Sequence, residues 1–121
     1  MSALKASAMA ALLVIAFVSS GCSGPDRLEY VKMAAREVCD EARRCDNLGP
    51  EGFRASYDDC IIEEESRFNS MWPANRCDDG RIDPDRFDRC MDRARLVACE
   101  GSFFDWLSAA EHCSAGTVCV N

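Results

Sequence analysis

The chain has 121 residues, nine cysteines and a net charge of −7 at pH 7. This length allows one small domain, whose hydrophobic core alone would stabilise it only marginally. The acidic balance argues against nucleic-acid binding, which requires clustered lysines and arginines. We therefore expect a small, acidic domain in which the cysteines add stability.

Residues 1–21 have the features of an export signal. Lys5 gives the short N-terminal region its positive charge, and the run Ala8–Val18 is apolar and uncharged. This run is too short for a membrane-spanning helix, which needs about 20 residues. The sequence therefore predicts a signal peptide over residues 1–21.

The residues before Cys22 resemble the bacterial lipobox, in which the cysteine sulfur receives a diacylglycerol before the leader is cut. Ser20 and Gly21 are the expected small residues. Ser19 departs from the pattern, because the lipobox usually has Leu there, and the aliphatic Val18 lies one place earlier. Lipidation of Cys22 would also explain the odd number of cysteines in an exported chain. The alternative is ordinary secretion, with Cys22 as a spare thiol.

The lipidated cysteine and a short tether occupy residues 22–25. Two or three acyl chains on Cys22 anchor a protein stably in the membrane, whereas one chain binds only marginally. Ser23 is not Asp, and by resemblance to other lipoproteins this favours the outer over the inner membrane. We expect a bacterial cell-envelope protein whose partner lies close to the membrane, because the tether is short.

The helical domain is predicted over residues 26–121, and its first helix over Arg27–Arg44. Asp26 can cap this helix, with Glu29 three residues on as in a capping box. Apolar residues recur at spacings of three and four, which predicts one buried face. That face comprises Leu28, Val31, Ala35, Val38, Ala42 and Cys45.

The second helix is predicted to open at Ser56 and to continue to about Ser70, before Pro73 stops it. The acidic run Glu63–Glu65 is expected on the solvated face, although Glu64 lies on the apolar side by spacing. The residues expected to face inward are Tyr57, Cys60, Ile61, Phe68 and either Met71 or Trp72.

The third helix has a clear start, because Asp83 can cap it and Pro84 suits its first turn. Ile82 can pack against Phe87 as a hydrophobic staple. The expected buried stripe comprises Phe87, Cys90, Met91, Ala94 and either Val97 or Ala98.

The fourth helix is predicted from about Phe103 to His112, with Ser102 and Asp105 as its capping box. No stretch of the chain shows the sustained alternation of a strand. We therefore predict an all-α, four-helix domain. The inward residues of this last helix are expected to be Phe103, Trp106, Leu107 and Ala110.

The cysteines after Cys22 are predicted to form about four disulfides, as exported small domains commonly do. A structural zinc site usually has pairs of ligands about two to four residues apart, and these cysteines contain no such pair. Sequence does not fix their pairing, but adjacent antiparallel helices favour Cys45 with Cys60 and Cys90 with Cys113. The eight are Cys39, Cys45, Cys60, Cys77, Cys90, Cys99, Cys113 and Cys119.

Two possible reactive sites are weaker than their structural alternatives. His112 has no neighbouring nucleophile and is explained by its place near a helix C-terminus. The segment Asp79–Asp83 resembles part of a calcium-binding loop, but Arg86 stands where an acidic ligand is needed. We predict no catalytic residue, no metal site, no cofactor and therefore no enzyme.

The cysteine order of nearly the whole domain resembles small cysteine-rich lipoproteins of myxobacteria, some of them encoded beside natural-product biosynthesis genes. The resemblance implies a membrane-anchored scaffold, but it brings no activity or site residue. It is carried by Cys39 and Cys45, the run Ser56-Tyr57-Asp58-Asp59-Cys60, Trp72, Cys77, Cys90, Cys99, and the terminal pair Cys113 and Cys119.

The function expected from the sequence is non-catalytic interaction, through an acidic helical surface, with a protein or another component of the cell envelope. The alternative is a carrier of a small apolar ligand, such as a lipid or a secondary metabolite, as an accessory to biosynthesis. A carrier would need a cavity of roughly 300 Å³ or more, and aromatic side chains would be expected to line it.

Overall fold

The computed structural model describes residues 24–78, 80–100 and 103–121, without the side chains of residues 103–106 and 108. The predicted signal peptide, Cys22, Ser23, Asp79 and the cap residue Ser102 lie outside the described residues, as do the side chains of Phe103, Asp105 and Trp106. The helices are α1 (Arg27–Arg44), α2 (Tyr57–Met71), α3 (Ala74–Cys77), α4 (Pro84–Glu100), α5 (Phe103–Cys113) and α6 (Ala115–Val118).

The described part of the chain is all-α, as predicted, with no strand beyond isolated β-bridges. The single-turn helices α3 and α6 are additions that the sequence patterns did not reveal, since one turn is too short to show a period. The predicted N-caps of α1, α2 and α4 are confirmed, because each side-chain oxygen accepts a backbone N–H three residues on. These bonds join Asp26 to Glu29 at 2.8 Å, Ser56 to Asp59 at 3.1 Å and Asp83 to Arg86 at 2.9 Å.

The core lies where α1 packs against both α2 and α4. Its centre is a chain of aromatic rings, with centroids 4.8 Å apart for Tyr30 and Phe87 and 4.9 Å apart for Phe68 and Trp72. Trp72 and Phe87 complete the chain at 5.8 Å. The predicted buried stripe of α4 is confirmed, and both Val97 and Ala98 belong to it.

The four predicted disulfides are present. The pairing of Cys45 with Cys60 is wrong, whereas the pairing of Cys90 with Cys113 agrees with the structure. Cys39 lies on the fully buried face of α1 and meets Cys60, while Cys45 caps the end of α1 and meets α4. The bonds are Cys39–Cys60, Cys45–Cys99, Cys77–Cys119 and Cys90–Cys113.

Several residues expected to face inward are exposed or only half-buried. Leu28 is 53% exposed, because it lies at the edge of the apolar stripe in the first turn of α1. Tyr30 is buried in its place. Leu107 is 41% exposed, because the buried face of α5 includes Ala109 and Cys113 instead. Of the alternatives Met71 and Trp72, Trp72 is the buried one. The half-buried ones are Cys45, Tyr57, Ile61 and Ala110.

Candidate functional site

An apolar pocket of about 350 Å³ opens between α2, α4, α5 and α6. Phe68 and Met71 of α2 form one wall. Ala94 of α4 and Ala109 and Ala110 of α5 form another. The pocket is therefore a gap between helices, bounded by hydrocarbon on most of its described surface.

The pocket exists because α5 packs on α4 and α6 but makes few contacts with α2. Three of its described wall residues, Ala94, Ala109 and Ala110, have side chains too small to fill the space across from α2. A larger apolar residue at any of these positions would reduce the volume.

One end of the pocket is fixed by buried bonds. Phe68 is 1% exposed and stacks beside Trp72, which is fully buried. The Nε1 of Trp72 donates a hydrogen bond to the backbone oxygen of Cys113 at 2.7 Å. The disulfide Cys90–Cys113 joins the same end of α5 to α4. The walls at this end are held in place without a ligand.

The rim of the pocket touches an ion-pair cluster centred on Glu64. This carboxylate is fully buried, and it accepts hydrogen bonds from Nη2 of Arg54 at 2.8 Å and from Nη2 of Arg67. Arg54 also pairs with Glu63 at 2.9 Å, and Arg67 lines the pocket. The expected solvation of the acidic run is wrong for Glu64, although its spacing had placed it on the apolar side.

A second surface lies on the outside of the α1–α2 pair. Shallow depressions of about 420 and 570 Å³ adjoin there and share Lys32, Ile62 and Glu65 as lining residues. Ile62 is 67% exposed and Leu28 is 53% exposed. We call the residues Leu28, Lys32, Ile62 and Glu65 the α1–α2 face. It is more open to solvent than the pocket is.

Residues weighed for reactive chemistry are not brought together by the fold. His112 is half-buried in the last turn of α5. The eight paired cysteines carry no free thiol. Within the described ranges, no three His, Cys, Asp or Glu side chains are grouped to hold a metal ion. No helix in those ranges is long and apolar enough to cross a bilayer.

About half of the described residues that line the pocket were expected from the sequence to face inward or to form a disulfide, but their arrangement around a pocket was not predicted. Phe68 was expected in the core, but Arg67 and Ala109 were not singled out. The available signal was the spacing of three residues between Glu64 and Arg67, which places opposite charges on one helix face. The alanines gave no signal, because an alanine that leaves a gap and one that packs tightly look alike in a sequence.

The family model described as "Family of unknown function (DUF6184)" matches residues 39–121. The matched region begins at Cys39 and includes all eight disulfide-bonded cysteines. No curated protein and no solved structure is significantly similar to the chain. The chain therefore belongs to the DUF6184 family, whose function is unknown.

Proposed function

We propose that the protein is a membrane-anchored, non-catalytic domain that binds a small apolar ligand in the pocket between α2 and α5. The observation that carries the proposal is the pocket itself. Its volume of about 350 Å³ is at the lower end of the roughly 300–1,000 Å³ of small-molecule sites. When a ligand enters, the apolar wall and the apolar surface of the ligand are both removed from water, and this supplies the driving force for binding.

The disulfides support this proposal by reducing the cost of binding. A site that is already formed loses less conformational entropy when a ligand enters than one that must order itself. Cys90–Cys113 joins two walls of the pocket, and Cys39–Cys60 joins α1 to α2. We therefore expect reduction of the disulfides to weaken ligand binding before the helices are lost.

The anchor at Cys22 is part of the same proposal, since it would keep the pocket beside a membrane that holds apolar molecules. Cys22→Ala should move the protein from the membrane to the soluble fraction of the envelope. Ser23→Ala, which leaves Cys22 in place, is the control and should stay in the membrane fraction. Unchanged fractionation of Cys22→Ala would count against the anchor.

The pocket is tested with the neutral fluorophore N-phenyl-1-naphthylamine, whose emission increases in apolar surroundings. The purified, oxidised protein should give a saturable increase with one site per chain. Ala110→Phe places a ring in the pocket and should weaken affinity at least about tenfold, which is about 1.4 kcal/mol. Leu96→Phe is the control, because Leu96 is 48% exposed on α4 and does not line the pocket.

Two outcomes would overturn the proposal. The first is an emission increase that does not saturate, since this is the behaviour of non-specific adsorption. The second is equal affinity in wild type and Ala110→Phe, provided that circular dichroism shows the variant to be folded. Either result would leave the pocket without a role in binding.

A second candidate is an interaction with a protein or an envelope component through the α1–α2 face. Exposure of Ile62 and Leu28 favours it, because large apolar side chains at the centre of a surface often mark a partner site. Glu65 within this face and Asp58 beside it are acidic, whereas Lys32 and Arg36 are basic. Crosslinking in native membranes should then recover a partner with wild type and lose it with Ile62→Glu.

A further inference from the structure

We infer that the pocket's ligand is an amphiphile with an apolar body and a carboxylate at one end, and that the Arg67 guanidinium receives this carboxylate. The inference rests on the proposed function, because it specifies the ligand of the same pocket.

Among the described residues that line the pocket, Arg67 is the single charged one and Ser114 the single other polar side chain. Phe68, Met71 and the alanines surround the remaining space. A ligand that fits such a lining is apolar over most of its surface and polar at one end. The charge of that end is then set by Arg67.

Arg67 brings a positive charge to the rim, because it is the member of the ion-pair cluster that lines the pocket. Glu64 accepts from both Arg54 and Arg67, so its single negative charge does not neutralise the pair. Glu63 pairs with Arg54 and brings the four-residue cluster to neutrality, but it lies on the side of Arg54 and its side chain is 54% exposed to water. No described carboxylate other than Glu64 pairs with Arg67.

The guanidinium of Arg67 is held in position, and one of its N–H donors has no acceptor. Its carbon lies 5.1 Å from the centroid of the Phe68 ring, and Nη2 is bonded to Glu64. Its Nε is buried and has no hydrogen-bond acceptor among the described atoms. A guanidinium can bind a carboxylate through two parallel N–H bonds, one of which can come from Nε. An anionic ligand that reached this donor would satisfy it.

Other ligand charges fit less well. A cationic end would be repelled by Arg67, and a neutral end would form weaker hydrogen bonds with the guanidinium than a carboxylate does. A carboxylate provides both the charge and the acceptors, and its apolar body can lie against Phe68 and Met71. The two ligand sources with this chemistry are free fatty acids and carboxylated aromatic metabolites.

The test compares decanoate with decanol as competitors for N-phenyl-1-naphthylamine, because the two differ only in the head group. In wild type, decanoate should bind at least tenfold tighter than decanol. Arg67→Met should reduce decanoate affinity to that of decanol and leave decanol unchanged. Arg95→Met is the control, since Arg95 pairs with Glu37 and Asp92 outside the pocket. It should retain the preference.

Loss of Arg67 alters the partners of buried Glu64, so Glu64→Gln/Arg67→Met is the second variant, in which the carboxylate is removed as well. The wild-type comparison decides whether the pocket prefers a carboxylate even if both variants are unfolded. A further arm with 1-naphthoate distinguishes the two ligand sources. Tighter binding of 1-naphthoate than of decanoate would identify the ligand as an aromatic carboxylate. Tighter binding of decanoate would identify it as a fatty acid.

The failures of the two proposals are distinguishable. If the fluorophore binds in the pocket but decanoate and decanol compete equally, the carboxylate inference is overturned and the apolar pocket stands. The same holds if neither competes, or if Arg67→Met keeps the preference for decanoate. If the fluorophore does not bind with saturation, the proposed function and the inference fall together.

Discussion

Trp72 and Cys113 are joined by a hydrogen bond of 2.7 Å from the indole Nε1 to the backbone oxygen. Trp72 follows the last residue of α2 and is fully buried, while Cys113 is the last residue of α5. The bond therefore ties together two helices that otherwise make few contacts. It fixes one end of the pocket and leaves the rest of the gap open.

Trp72→Phe should destabilise the protein, because it removes the donor and leaves a buried carbonyl without a partner. We expect a loss of about 1–3 kcal/mol in the free energy of unfolding, measured by urea denaturation with circular dichroism. Leu96→Ala is the control, since an exposed side chain should change stability by no more than about 0.5 kcal/mol. Equal midpoints for the two variants would show that the bond is not stabilising.

Glu64→Gln should be more damaging than Glu63→Gln, although the two residues are neighbours. Removing the buried charge of Glu64 leaves Arg54 and Arg67 short of a counter-charge. Because these arginines are 28% and 24% exposed, we expect a loss of about 2–4 kcal/mol, somewhat below that for fully buried pairs. Glu63 is 54% exposed, so its loss should be at most about 1 kcal/mol. Similar urea midpoints for both would refute the central role of Glu64.

The disulfide pairing predicts a distinctive non-reducing tryptic digest. Trypsin separates Cys39, Cys45 and Cys60 into peptides 37–43, 45–54 and 55–67. The first and third should be recovered as one linked pair, since Cys39 binds Cys60. Peptide 45–54 should be found on 96–121 through Cys99. A mass that links 45–54 with 55–67 would restore the Cys45–Cys60 pairing and contradict the structure.

The two tyrosines should both ionise at higher pH than a free tyrosine. The hydrogen bond from Tyr57 to Asp40, 2.7 Å long, raises the pKa of Tyr57 above its usual 10.0. Burial first, and then the charges of Asp88 and Asp83, raise the pKa of Tyr30. Phenolate absorbance follows each midpoint, and Tyr57→Phe isolates Tyr30.

The effect of these tyrosines on stability has a definite sign. A folded state with a raised pKa holds the proton more tightly than the unfolded chain. The contribution is therefore complete below pH 10 and is lost as the pH rises through the raised values. A phenolate midpoint at or below the usual value for either residue would contradict the hydrogen bond or the burial assigned to it.

Local features of the fold could be predicted from the sequence, because the information lies within a few residues. The cap at Asp26 and the bounds of α1 depend only on neighbouring positions, and both were correct. The exposure of Leu28 was not predictable in this way, since it depends on how far α2 and α4 extend over the first turn. Helical periodicity predicts the direction in which a side chain points, but not how much of it is buried by neighbouring helices.

The candidate site was less predictable than the fold, because it arises from contacts between distant segments. Cys45 meets Cys99 rather than Cys60 because the end of α1 faces α4, which spacing along the chain does not reveal. The charge of Glu64 is balanced by Arg54, ten residues away in a loop. The pocket itself depends on the separation of α5 from α2 and on small alanine side chains, and periodic patterns carry no information about such gaps.

The central claim, that the pocket binds an apolar ligand, is tested most directly by nuclear magnetic resonance of labelled methyl groups. Titration with N-phenyl-1-naphthylamine should shift the methyl signals of Met71, Ala94 and Ala110 with one common saturation curve. Those of Leu28 and Ile62, on the α1–α2 face, should remain in place. Shifts confined to Leu28 and Ile62, or no saturable shift at all, would contradict the account.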